Sequence, residues 1–195
     1  MRQSQKKCLG PSSGFTLLEL LVTITVASIL LTLAVPSFNS LTQNNRRSSY
    51  VGDLLRTLAY ARNQAVTSRS TITVCPSAAP YNAAPTCAAN GWHTGWVVFR
   101  EAGTPNGIFD AGELVLAVHE PLSNANTTIC GDANLGDGIT FTNAGVLRGG
   151  AGSLSYCDAR GIGEGRSIIV ATFGRVRSDV TTNCRRDTSS PPACS

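Results

Sequence analysis

Histidine and lysine are almost missing from this chain of 195 residues: it holds two His, His93 and His119, and no Lys beyond Lys7. Neither His has beside it the Cys or Ser pattern of a nucleophile and its base, and no Gly-x-Ser-x-Gly, phosphate loop or His-Glu-x-x-His occurs. The chain therefore does not read as an enzyme, and nothing in it calls for a cofactor. No Cys-x-x-Cys is present either, so the cysteines do not spell a metal site. The last scarcity is local: from Phe15 to Val35 run 21 residues with a single charge, Glu19.

At about 1.5 Å of rise per residue that run makes roughly 32 Å of helix, enough to cross a hydrocarbon core of about 30 Å. Glu19 sits near its start, where an unpaired carboxylate in lipid costs about 2.5–3.5 kcal/mol, so it calls for a partner. Ahead of the run stand Arg2, Lys6 and Lys7. By the positive-inside bias they keep the amino terminus in the cytoplasm and send the body outward.

Seven cysteines are present. Cys8 precedes the apolar run, and the other six, Cys75, Cys87, Cys130, Cys157, Cys184 and Cys194, are scattered through the body. An even count of this kind fits a disulfide framework in an oxidising compartment. Six cysteines allow 15 pairings. Local loop closure makes Cys75 with Cys87, Cys130 with Cys157 and Cys184 with Cys194 the expected set.

Along the chain, residues 1–14 read as a basic targeting leader, outside the fold. Residues 15–36 form the membrane half of a long helix, in which Pro36 predicts a kink without an end. Residues 37–69 continue as its amphipathic half: Phe38, Leu41, Val51, Leu54, Leu55, Leu58, Ala61 and Ala65 recur at three- and four-residue steps, with Arg46, Arg47, Asp53, Arg56, Arg62 and Arg69 mostly on other faces. From residue 70 to 195 the period changes to short β-rich runs broken by Gly, Pro and Asn, at 71–75, 95–99, 113–118, 138–142, 145–147, 153–157 and 167–173. Strands grouped after one helix predict an α+β fold, with an antiparallel sheet packed on the helix's second half.

Three stretches of the body invite a chemical reading. Asn106-Gly-Ile-Phe-Asp110-Ala-Gly-Glu113 looks superficially like a calcium loop, but Ile108 occupies a would-be ligand position and Asn-Gly is a hairpin signal, so a turn is preferred to a bound Ca²⁺. Trp92, Trp96 and Phe99 offer either a stacking platform for bases or core filling for the sheet; core is preferred for Trp96 and Phe99. The late segment carries charge. Setting aside Arg2, Lys6 and Lys7 leaves 13 Arg against 12 acids, yet from Arg160 onward Arg160, Arg166, Arg175, Arg177, Arg185 and Arg186 face only Glu164, Asp179 and Asp187. In an extended Gly174-Arg175-Val-Arg177 the two arginines project to one face, and the guanidinium fork suits phosphate oxygens. Against this stands a solvated strand end with surface ion pairs.

A basic leader ending in Gly14, followed by Phe15-Thr-Leu-Leu-Glu19 and an apolar run, resembles the class III signal of type IV pilins and of the pseudopilins of type II secretion. The Trp-Val-Val-Phe strand, the Asn-Gly-x-x-Asp-x-Gly-Glu turn and the late Ile-Ile-Val strand ending in Gly-Arg-x-Arg resemble the FimT/GspH group of these proteins. The resemblance implies the type IV pilin fold. It further implies cleavage between Gly14 and Phe15 by prepilin peptidase and N-methylation of Phe15. Glu19 would be the carboxylate that meets a neighbouring subunit at the inner-membrane assembly platform. The implied location is the inner membrane, single-pass, with the body in the periplasm, and afterwards a pilus at the cell surface among other pilins. Gly174, Arg175 and Arg177 match a motif implicated in FimT-type minor pilins in non-specific DNA binding for natural transformation, with Arg166, Arg185 and Arg186 as neighbours. The alternative implied is a structural minor pilin or GspH-type pseudopilin with no nucleic-acid role. An adhesin using residues 77–91 as a contact loop is a weaker third.

Overall fold

A computed structural model describes residues 14–87, 91–123 and 126–181. Residues 1–13 of the leader, together with Cys184, Arg185, Arg186 and Cys194, lie outside these residues. The first element, α1 (Leu17–Ser68), is a helix of 52 residues that runs through Pro36, so the proline does not end it. The chain divides into two units, one up to Asn45 and one from Arg46 on.

In the first unit the helix begins with a capping arrangement. Thr16 accepts the first helical hydrogen bond from Leu20 at its carbonyl and a second from the Glu19 amide at its hydroxyl, 3.2 Å away. The apolar window that follows has a mean hydropathy of 2.3, and none of it is buried. Its polar side chains are satisfied without water: Thr23, Thr25, Ser28 and Thr32 donate to the carbonyls of Leu20, Val22, Ile24 and Ile29 at 2.7–2.8 Å. By length and composition the segment suits a hydrocarbon environment. Phe38 and Leu41, expected in the sheet-facing stripe, are 69% and 55% exposed; the buried stripe begins at Val51.

In the second unit Val51, Leu54, Leu58, Ala61 and Ala65 enter the core, at the three- and four-residue steps that keep one helical face inward. Among the described residues nine strands follow, all antiparallel, in two sheets rather than the one expected. The five-stranded sheet has the order β3-β2-β1-β5-β6, from β1 (Ile72–Pro76), β2 (Trp96–Arg100), β3 (Leu114–His119), β5 (Ile139–Phe141) and β6 (Leu147–Arg148). The four-stranded sheet has the order β4-β7-β8-β9, from β4 (Thr128–Gly131), β7 (Gly152–Cys157), β8 (Arg166–Val170) and β9 (Val176–Val180). Each sheet and the helix contribute to one buried cluster, which includes Ile72, Val98 and Phe141 from the first sheet and Ile129, Leu154 and Ile168 from the second. At about 1.5–3 kcal/mol per large side chain removed from water, this burial is the main stabilising term.

The aromatic platform is ruled out by burial. Trp92, Trp96 and Phe99 are fully enclosed, Trp92 donating to the Leu135 carbonyl at 3.0 Å and Trp96 to the Thr57 hydroxyl at 3.2 Å. Rings hidden this way stack on no base. The Asn106–Glu113 stretch is a turn whose oxygens are spent on its own backbone. Glu101 accepts from the Asn106 and Gly107 amides, and Glu113 from Ala102 and Asp110, at 2.9–3.2 Å.

Cys75 and Cys87 are joined, with S–S 2.03 Å. Cys130 and Cys157 are each disulfide-bonded as well.

Candidate functional site

Gly174 sits where two hairpin turns meet. In the first turn the Gly145 amide donates to the Thr142 carbonyl at 2.8 Å; in the second the Gly174 amide donates to Ala171, also at 2.8 Å. Both glycines have positive φ, 72° and 74°. They approach so closely that a Cβ on residue 174 would lie 2.0 Å from the Gly145 carbonyl oxygen. Only glycine fits both the backbone angle and the space. The turns are tied by a bond from the Leu147 amide to the Thr172 carbonyl and by Arg62, whose Nε donates to Gly145 O at 2.9 Å and whose Nη2 donates to Phe173 O at 3.1 Å. One guanidinium on the helix thus fixes the turn from which Arg175 starts.

Beyond the turn, β9 is the outer strand of its sheet among the described residues, pairing with β8; Val176 stands opposite Val170 and Arg177 opposite Ile169. Val176 packs against the core, while Arg175 and Arg177 on either side of it are exposed, the alternation expected of an extended segment. Between β9 and the helix lies a groove of about 470 Å³, lined by Leu55, Arg56, Ala59, Arg62, Asn63 and residues 174–177. The sequence motif therefore shares one concavity with two helix arginines, Arg56 and Arg62, that sequence reasoning had placed only on the polar face. Their three- and four-residue spacing with Leu55 and Ala59 was visible beforehand, but not that a strand more than a hundred residues later would lie beside them.

The charges of the groove are unequally engaged. Arg56 pairs with Asp53, and Arg177 with Asp179 at 3.5 Å. Among the described residues no carboxylate lies within ion-pair distance of Arg175. Exposed pairs of this kind contribute about 0–1 kcal/mol, so breaking them costs little.

Two of the other late arginines do not join this groove. Arg166 and Arg47 line a neighbouring smaller depression of about 270 Å³, which also includes Leu55 and Ser178. Arg160 is drawn into an acidic partnership: it bonds Asp158 at 2.7 Å and lies 3.6 Å from Glu164, which also pairs with Arg47. Burial pushes the Asp158 carboxyl up, but the hydrogen bonds from Arg160 outweigh it and hold the group below the usual carboxylate range. Part of the expected charge excess is thus neutralised at Arg160. Arg185 and Arg186 lie outside the described residues.

The long amino-terminal helix followed by antiparallel sheets is the type IV pilin fold, and comparison with solved structures agrees. A crystal structure of the Pseudomonas aeruginosa type IV minor pilin FimU is similar with a TM-score of 0.54 at 21% identity, over 71% of this chain and 92% of that one. A second crystal form of FimU gives a TM-score of 0.50 at 20% identity, over 68% and 91%. No curated protein sequence matches significantly.

The chain belongs to the family described as type II transport protein GspH, whose model matches residues 51–174, and the prokaryotic N-terminal methylation motif matches residues 11–35. It is accordingly a membrane-anchored subunit of the minor pilin and pseudopilin class.

Proposed function

We propose that this chain is a minor type IV pilin that binds extracellular DNA through its phosphate backbone, without sequence preference, for uptake in natural transformation. The observation that carries this reading is the convergence of Arg175, Arg177, Arg56 and Arg62 on one exposed groove, with Arg175 lacking a carboxylate partner among the described residues. Binding of this kind is electrostatic, weak and salt-sensitive. Arg166 extends the positive field from the neighbouring depression, and Arg185 and Arg186, outside the described residues, are proposed as further DNA contacts. The leader is cut after Gly14, Phe15 is methylated, and Glu19 meets the amino terminus of a neighbouring subunit as the chain passes from the inner membrane into a fibre with other pilins. The body faces the periplasm before assembly.

Gel retardation at low salt tests the DNA role: the body carrying Arg175→Ala and Arg177→Ala is expected to shift less DNA than the unaltered body at an unchanged melting temperature. Equal retardation would contradict it.

A second reading is favoured by the family match alone: a structural subunit of pilus priming or type II secretion, with no nucleic-acid role. Deletion separates the two. Loss of transformation with pili and secretion intact supports the DNA reading, and loss of pili or of secreted enzymes supports the structural one.

A further inference from the structure

Phosphate binding accounts for the rim of the groove but not for its floor. Leu55, Ala59 and Val176 line it between the arginines, and a duplex backbone gains nothing from an apolar strip. Ala59, an exposed helix position with a one-carbon side chain, leaves the space that makes the strip concave. At the Gly174 end stands Phe173, 78% exposed, its carbonyl held by Arg62. An apolar floor between cations, with an exposed phenylalanine one residue along the chain from Gly174, matches a flat base flanked by phosphates. Such a base is hidden in a duplex and free in a single strand. The volume of about 470 Å³ falls within the range of about 300–1,000 Å³ typical of small-ligand clefts.

We propose that the groove takes DNA as a single strand: one base lies on Leu55, Ala59 and Val176, the flanking phosphates meet Arg175, Arg56 and Arg177, and a neighbouring base stacks on Phe173. The inference rests on the DNA-binding reading above and narrows it. It makes the subunit selective for frayed ends, gaps or unwound DNA, and for short single strands over intact duplex of equal length.

Fluorescence anisotropy on the mature full-length chain in detergent tests it, with three labelled probes of equal length: a single strand, the corresponding duplex, and an abasic strand that keeps sugar and phosphate without bases. The single strand is expected to bind roughly tenfold or more tightly than either of the others, the scale of one or two base stacks. Ala59→Leu, which fills the floor without altering charge, and Phe173→Ala are each expected to remove most of that preference, bringing single-strand affinity down towards that of the duplex. Equal binding of all three probes would overturn the single-strand inference and leave backbone binding standing. Failure of all three to bind would overturn both. If Ala59→Leu leaves every DNA affinity intact but blocks fibre assembly, the floor receives a neighbouring subunit, and the inference falls.

Discussion

Arg62 donates from Nη2 to the carbonyl of Phe173 at 3.1 Å, across 111 residues of sequence, and thereby sets the direction in which the segment bearing Arg175 and Arg177 leaves its turn. The same side chain holds Gly145 at 2.9 Å. Arg62 is thus a positioning residue for the motif as well as a member of the groove.

Arg62→Met, which keeps the aliphatic stem and removes both bonds, is expected to cost about 2 kcal/mol, the range for losing hydrogen bonds from a charged donor at a partly exposed site. It should also weaken DNA binding although Arg175 and Arg177 remain. Chemical denaturation and the gel assay on one preparation check both. Unchanged stability would remove the clamp.

Gly174→Ala and Gly149→Ala form a matched pair. Both glycines have positive φ, but a Cβ at 149 meets nothing within 4 Å while one at 174 strikes the Gly145 carbonyl. Gly149→Ala should cost about 1–2 kcal/mol from backbone strain alone, and Gly174→Ala at least twice that. Equal losses in thermal denaturation would show that the turns separate freely.

Acid stability is governed in part by His93. Burial lowers its proton affinity in the folded chain, with a backbone hydrogen bond to Ile129 opposing. The unfolded chain, with the ordinary value near 6.5, therefore takes up the proton first. Stability is complete above about pH 6.5 and declines as pH falls from there through the lower folded value. Asp158, whose folded value is also depressed, adds a second decline only below its ordinary value of 3.8. His93→Gln should flatten the melting temperature between pH 6.5 and 5; a slope equal to that of the unaltered chain would contradict the assignment.

Disulfide mapping addresses the register of β4 and β7. Cys130 stands opposite Ser155, and Cys157 opposite Thr128, so the two cysteines are diagonal neighbours. Diagonal positions lie about 7–8 Å apart, beyond the usual Cα span of up to about 6.8 Å for a disulfide. Both are nevertheless bonded. Non-reducing peptide mapping is expected to return each joined to another cysteine of the chain, not to each other, against the pairing expected from loop closure. A peptide linking Cys130 to Cys157 would show that the strands shift register.

Much of this was legible in the residues. The period change near Ser70 separated helix from strands, and the apolar run with its lone Glu19 marked the anchor, because both signals are local. Trp96 and Phe99 read as core from their place in a Val-rich strand. The division into two sheets was not legible, since Thr128–Gly131 and Val176–Val180 become strands only through their partners, Thr128–Gly131 on β7 and Val176–Val180 on β8. Nor was the groove: Arg175 and Arg177 were visible as a motif, but Arg56 and Arg62 were ordinary polar-face residues until the fold set them beside it. The charge count misled for the same reason, because Arg160 finds Asp158 and Glu164 only through a tight turn.

The DNA-binding claim is tested most directly by measuring duplex affinity across a salt series for the mature chain and for its Arg175→Ala, Arg177→Ala variant. The unaltered chain should show log affinity falling linearly with log salt, and the variant a slope shallower by roughly 0.9 for each phosphate contact removed. Parallel lines of equal height would place the DNA, if it binds at all, somewhere other than this groove.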